Sequence, residues 1–286
     1  MKARAFGALV VAAVGWGAST TTIKYSLESW PPLTMLLVQL LAANVVLWAV
    51  LLIRGYRRPD KPGFVLLVGL LEPALCYVLI SFGLLHTTAE NAALICGFES
   101  TMVVILATLL LKERFVARSA LGVVMALTGM VLIVGLRGGG VHSGDVLVLL
   151  GIVLAAVYVT TARVARFTSD PLTITAHQFA VSLIVVAPIA LIAWLDGSEH
   201  PLRHYPAGSW AATIATGVLC YAGSYIFYNF AIKHVHAGVA SMVLNLVPVF
   251  GVLSAAIFLH ESIGLWELIG GALVIASIAV FGYDAE

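Results

Sequence analysis

Two glutamates stand where apolar residues dominate. Glu72 lies in "GLLEPALCYV" (69–78) and Glu99 in "ICGFESTMVV" (95–104), each deep inside a long hydrophobic run. A charge held at the centre of a bilayer costs at least ~2.5–3.5 kcal/mol on insertion scales. Such a carboxyl must face a cavity, meet a partner, or keep its proton. For Glu99 the functional reading is a place in a working cavity or a coupling role; the bland one is a hydrogen bond between helices. For Glu72 the bland reading is a protonated acid bonding a neighbouring backbone. Pro73, next to Glu72, removes a helix donor and frees the carbonyl of Gly69, so the helix should be pliable there. Cys76 lies one turn on, on the same face. Glu90 is a different case. "Thr87-Thr88-Ala89-Glu90" fits a capping box, with the hydroxyl at N-cap and the carboxylate three residues on.

A second group consists of aromatic and amide side chains. Gly217, Tyr221, Tyr225 and Tyr228 follow at i, i+4, i+8 and i+11, one face of a helix. Tyr221 and Tyr225 sit deep, and their phenols need partners that a wet cavity supplies. Tyr228 lies nearer the helix end and is expected in the interfacial aromatic belt. Asn245 comes three residues before Pro248; it either bonds a substrate or the neighbouring helix. Gln39 and Gln178 read as structural, His86 and His177 as satisfied polar groups, and Lys24 as a side chain free to snorkel to the interface. Aromatic walls built from Trp16, Tyr77, Tyr158, Tyr221 and Tyr225 would suit an apolar or aromatic substrate side chain, with plain packing equally open.

These residues need a frame to hold them. The 286-residue chain is 61% hydrophobic and 10% charged, with a mean hydropathy of +1.05. Soluble domains carry roughly 25% charge. Apolar runs of about 20 residues, each long enough to cross ~30 Å of hydrocarbon, recur along the chain. The pattern predicts an all-α polytopic membrane protein with ten spans: 5–25, 32–53, 63–85, 88–111, 118–136, 145–163, 171–194, 209–231, 237–259 and 263–283. With the N-terminus in the cytoplasm, twelve of the fifteen Lys and Arg residues fall inside; Lys24, Arg137 and Arg203 fall outside. That bias sets the orientation, with both termini cytoplasmic. The apolar start of the chain is taken as the first span, because its pattern runs too far for a cleaved leader.

The spans repeat. Shifted by about 148 residues, "YVLISFGLLHTTAENAAL" (77–94) meets "YIFYNFAIKHVHAGVASM" (225–242). Tyr77 then matches Tyr225, and Gly69 matches Gly217. Near the start the shift is smaller: "PLTMLLVQL" (32–40) meets "PLTITAHQF" (171–179), pairing Gln39 with Gln178, and Trp16 falls opposite Tyr158. Two five-span units follow, 1–139 and 140–286. Five is odd, so the second unit must lie upside down. The basic turn "KERFVAR" (112–118) and its uncharged mate "HESIGLW" (260–266) agree with that. Inverted repeats of this kind place a substrate site at the midplane, where the units meet.

The chain resembles the EamA family of the drug/metabolite transporter superfamily. The resemblance rests on "GWGAST" in the first span, "TAENAALICGFES…LLLKER" across the fourth and "AGVASMVLNLVPVFGVLSAAIFLHES" across the ninth. Within that superfamily it most resembles bacterial amino-acid exporters of the YddG type. The resemblance implies ten helices in two inverted repeats around a central cavity, alternating access, and a small-molecule substrate such as an amino acid. Its membrane would be the bacterial inner membrane. Two positions depart from the family pattern: Gln39 stands where many relatives have Arg, and Ser100 follows Glu99 where many have Pro; the ninth span keeps Pro248.

Other classes fit less well. A net charge of +1 offers no basic field for nucleic acid. "Gly17-Ala18-Ser19" loosely suggests a nucleophile, but no convincing mid-span histidine serves it, and an intramembrane enzyme leaves the repeat unexplained. No H-E-x-x-H or Walker motif is present, and no metal or cofactor is expected. A passive channel or receptor is a third class. A monomer suffices for the carrier reading. Cys76, Cys96 and Cys220 all fall in predicted spans, so a disulfide framework is not expected.

Overall fold

The computed structural model describes residues 2–84, 86–87, 95–96, 98–111, 117–134, 143–200, 205–258 and 263–282, and these form helices joined by short turns. Six helical stretches are long and apolar enough to cross a membrane: Ala3–Leu27, Pro32–Ile53, Pro62–Gly83, Ser143–Ala165, Pro171–Leu195 and Ala207–Ala231. Four shorter apolar helices are Glu99–Leu110, Ala120–Leu132, Met242–Phe258 and Leu268–Val280. Pro32, Pro62 and Pro171 each open a helix, where a missing N–H costs nothing and a fixed φ helps.

Helix α1 is Lys2–Leu27 and α2 is Pro32–Ile53. The third long stretch is broken. Helix α3 (Pro62–Gly69) passes through a π-helical turn (Leu70–Leu75) into α4 (Cys76–Leu84). Pro73 sits inside that turn, Glu72 has extended backbone (φ −150°, ψ 131°), and the Glu72–Pro73 bond is cis. The chain continues through α5 (Glu99–Leu111), α6 (Ala117–Val134), α7 (Ser143–Ala165) and α8 (Pro171–Leu195). A second π-helical turn (Thr216–Gly223) lies between α9 (Ala207–Ala215) and α10 (Ser224–Ala231). The last helices are α11 (Ala237–Leu244), α12 (Leu246–Phe258) and α13 (Leu265–Gly282).

The two broken helices each cross a helix from the other half of the chain at a glycine. A Cβ on Gly69 would lie 2.6 Å from the Gln178 carbonyl oxygen, and one on Gly217 would lie 2.9 Å from the Gln39 Cα. The opening made by Pro73 is filled from α8: Ser182 Oγ donates to the Gly69 carbonyl at 3.0 Å, and Gln178 Nε2 donates to the Glu72 carbonyl at 2.8 Å. The freed backbone groups are thereby satisfied inside the protein, as a lipid environment demands.

The halves interleave. α1 packs on α9 to α12 and hardly touches α2, while α7 packs on α4 and α5. α6 pairs with α13. α2 and α8 lie side by side and antiparallel, fastened at both ends. At one end Asp60, after α2, accepts from the N–H and hydroxyl of Thr168 and Ser169, just before α8. At the other, Glu199, after α8, accepts from the N–H groups of Leu33 and Thr34 at 2.8 Å each, and from the Thr34 hydroxyl. Helix N-termini carry free donors and partial positive charge, so Glu199 suits the start of α2; α8 is capped by its own Asp170, which accepts from the Leu172 N–H, and Asp60 holds the turn before it.

Candidate functional site

The first turn of the site comes from α1. Trp16 is flanked by Gly15 and Gly17, and a Cβ on Gly17 would lie 2.5 Å from Phe250 Cβ and 2.7 Å from the Val247 carbonyl oxygen. No side chain fits there. The "GWGAST" run is small because α1 passes against the α12 backbone, and that approach delivers the Trp16 indole to the interior. Ser19 and Thr22 turn their hydroxyls onto α1 carbonyls three residues back. Thr21 and Thr22 also meet Ser254 and Thr216 across the bundle.

A cavity of about 200 Å³ lies between the halves. Trp16, Glu72, Tyr77, Glu99, Tyr158 and Asn245 all line it. The wall is completed by Tyr228, Cys76, Cys96, Ser100 and apolar groups, among them Ile80, Met130 and Ile152. Among the described lining residues none is a Lys, Arg or His. Tyr225 is fully buried behind the wall and reaches the site through its hydroxyl, which donates to Glu72 Oε1 at 2.8 Å and lies 3.3 Å from the Tyr77 hydroxyl. The ring of Trp16 meets Tyr225 edge-on at 5.1 Å and Tyr228 at 5.6 Å; Tyr158 is about 6 Å from both. The repeat mates Trp16 and Tyr158, and Tyr77 and Tyr225, thus converge on one aromatic box.

Glu99 differs from its expected setting. The fourth predicted span is interrupted: the chain turns at Phe98, and Glu99 opens α5. A carboxylate in the first turn of a helix is favoured by the dipole, which lowers the cost of placing it this deep. Among the described residues Glu99 has no hydrogen-bond partner, and the buried Ser100 Oγ beside it has none either. Asn245 also sits at a break, between α11 and α12. Pro248 lacks the donor that would close onto Leu244, and the Asn245 amide makes only a 3.6 Å contact to the Met242 sulfur.

Two tyrosines lie elsewhere than expected. Tyr221 does not line the cavity; it packs behind Tyr77 with ring centres 5.1 Å apart. Tyr228, expected in the interfacial belt, is fully buried in the cavity wall, and its hydroxyl has no partner among the described residues. The π-helical turn is the reason. It adds a residue to one turn, so spacing counted across it no longer keeps a single face. Tyr225 and Tyr228, three apart, both lie on α10 beyond it. Tyr228 was readable from that spacing alone. Met130 and Ile152 carry no signal that separates them from ordinary packing.

Other expectations resolve simply. Gln178 is structural, bridging the Glu72 carbonyl and the Asn229 amide. His177 sits between the Thr173 carbonyl and Tyr56. Thr87 bonds Asp145, while Glu90 and the rest of its capping box lie outside the described residues. The three cysteines are free thiols.

The EamA-like transporter family model matches the chain twice, over residues 4–135 and 142–283. The chain belongs to that family. An uncharacterised transporter of Archaeoglobus fulgidus is 28% identical over 92% of each chain. A protein of Streptantibioticus cattleyicolor named "Probable terminal-alkyne amino-acid exporter" is 26% identical, over 96% of this chain and 92% of that one. The Escherichia coli protein named "Uncharacterized inner membrane transporter YedA" is 28% identical, over 96% and 90%. A solved crystal structure superposes with a TM-score of 0.83 over 100% of this chain and 98% of that one. At 20% identity, that likeness is one of fold. The EamA chain described here is therefore a membrane protein of a transporter family.

Proposed function

We propose that this EamA-family chain is a secondary carrier that exports small zwitterionic metabolites, amino acids first among them, by alternating access. Its ten spans form two inverted five-helix repeats, 1–139 and 140–286, in a bacterial inner membrane with both termini cytoplasmic. The substrate sits in the cavity between the repeats. One observation supports this reading: the cavity joins two carboxylates, Glu72 and Glu99, to buried donors without a partner among the described residues, Trp16 Nε1 and the Tyr228 hydroxyl. An ammonium matches the carboxylates and a carboxylate matches the donors, while the aromatic and apolar wall takes a side chain. The relative named as an amino-acid exporter supports the same class.

A second reading has its own support. Glu99 faces the cavity without a hydrogen-bond partner among the described residues, as a group that trades a proton would. The carrier would then be a proton-coupled exporter of drugs or other small organic metabolites. Both readings meet in one experiment. Purified protein in liposomes is given a labelled amino-acid panel, with and without a pH gradient, beside Glu99→Gln and Glu72→Gln. Saturable counterflow lost in either variant supports the amino-acid site. Counterflow that survives in Glu99→Gln but loses its pH response assigns Glu99 to the proton. Unsaturable flux would mean a channel, and no flux of any amino acid by folded protein would overturn the substrate class.

A further inference from the structure

Three cations at the end of α7 have no part in the carrier site. Arg163, Arg166 and Lys233 share a second cavity of about 340 Å³, walled by Ala162, Phe167 and Ile232. It lies where α7 ends and the chain turns after α10, the side that carries most of the chain's Lys and Arg. Among the described residues no carboxylate lines it. Two acids lie near Lys233 outside the lining, Asp170 and then Asp60; Asp170 accepts from the Leu172 N–H at the start of α8, and Asp60 is committed to the Thr168–Ser169 turn.

The three side chains keep most of their donors unused. Arg163 gives one N–H of its guanidinium to the Ile232 carbonyl at 2.9 Å; a guanidinium has five. Lys233 donates to the Ser169 carbonyl. Among the described residues Arg166 has no hydrogen-bond or ion-pair partner. Its backbone is in the left-handed region, with φ +45°. Helices end readily in that conformation on Gly or Asn; an arginine is uncommon there. A glycine would end α7 more easily, so the arginine side chain is what the position adds. Topological bias alone does not account for the grouping. Arg54, Arg57 and Arg58 serve that bias as exposed cations; Arg166, exposed as well, differs in sharing a cavity with Arg163 and Lys233.

Three like charges in one concavity repel until an anion with several acceptor oxygens joins them. A phosphate supplies such oxygens, and a guanidinium grips two of them at once. The buried Phe167 and Ile232 beside the cations match the first carbons of an ester. Basic pockets between membrane helices take phosphate-bearing head groups. We propose that this cavity is a phosphate site, filled by the head group of an anionic phospholipid or by free phosphate.

The test uses the full chain and thermal unfolding. Wild type, Arg166→Gly and Arg166→Gly/Lys233→Gln are compared in phosphatidylcholine micelles, in the same micelles with phosphatidylglycerol, and with added inorganic phosphate. Arg57→Gln is the control cation. Wild type should gain thermal stability from phosphatidylglycerol, and Arg166→Gly should lose at least half of that gain. Its stability in phosphatidylcholine should stay level or rise, since glycine suits the backbone there. Gain from the lipid alone identifies a head-group site; gain from inorganic phosphate identifies a free-anion site. The proposal is overturned if neither phosphate source stabilises the wild type, if Arg166→Gly keeps the whole gain, or if Arg57→Gln loses as much. Should the double variant fail to fold, Arg166→Gly alone decides.

Discussion

Gln178 and Gln39 occupy matching places in the two halves, yet only one amide is used. Gln178 Nε2 donates to the Glu72 carbonyl at 2.8 Å, and its Oε1 accepts from Asn229 Nδ2 at 3.1 Å. Gln39 is as deeply buried, and its Nε2 has no partner among the described residues. Methionine nearly conserves the volume of either side chain, so cavity terms are small. Interhelical hydrogen bonds in membranes average about 0.6 kcal/mol and reach about 1.7, so Gln178→Met should destabilise by about 1–3 kcal/mol. The upper end applies because Gln178→Met loses two bonds at once, to the Glu72 carbonyl and from Asn229. Gln39→Met removes a desolvated, unpaired donor of the kind that costs about 1–3 kcal/mol to bury, and should be neutral or stabilising. A gap of about 3 kcal/mol between the variants is roughly a hundredfold in the unfolding constant. Reversible unfolding in mixed detergent–SDS micelles, followed by tryptophan fluorescence, reads that gap. Equal destabilisation by both substitutions would falsify the reasoning, because the mates would then be doing the same thing.

Three further outcomes are expected. Tyr225→Phe removes the donor to Glu72 Oε1, a bond worth about 1.5–3 kcal/mol if the carboxylate is charged; substrate affinity in a binding assay should fall about tenfold with helical content unchanged. Gly69→Ala pushes a methyl within 2.6 Å of the Gln178 carbonyl oxygen, and overpacking of this kind costs about 1–3 kcal/mol, visible as a lower unfolding temperature. Burial by itself would raise the Asp60 carboxyl, but hydrogen bonds from Ser169 and Thr168 outweigh it and hold the group below its usual 3.8. A depressed carboxylate stabilises the fold above that value and loses its contribution as pH falls further, so wild type should weaken below about pH 4. Asp60→Asn should flatten that acid limb and speed amide exchange at Thr168 and Ser169 already at neutral pH.

The sequence showed where the helices are because a bilayer-length apolar run is a strong signal, and each helix described overlaps a predicted span. It also brought Trp16, Glu72, Tyr77, Glu99, Tyr158 and Asn245 to one cavity, since polar and aromatic groups inside such runs have few other places to go. What it missed are breaks in the ladder. Pro73 announced one π-helical turn; the other, at Thr216–Gly223, has no proline, and so Tyr228 lines the cavity while Tyr221 packs behind Tyr77. The turn at Phe98 moved Glu99 from mid-helix to a helix start for a similar reason. Hydropathy does not register a change in hydrogen-bond pitch when the residues on either side are equally apolar. The reciprocal fastening by Asp60 and Glu199 was invisible as well, because its partners are backbone N–H groups and common hydroxyls more than a hundred residues away in the chain.

That fastening has a consequence for how the chain can be divided. Each half lends a carboxylate to the other, and receives one in return. A contact of this form is what a two-fold dimer makes with itself, residue i to j and j to i. Here it is folded into one polypeptide. The start of α2 takes its carboxylate from the second half, and the turn into α8 takes one from the first, so each half leaves donors that its counterpart satisfies. Split at the linker, the two fragments should be poor solo folders and good mutual ligands.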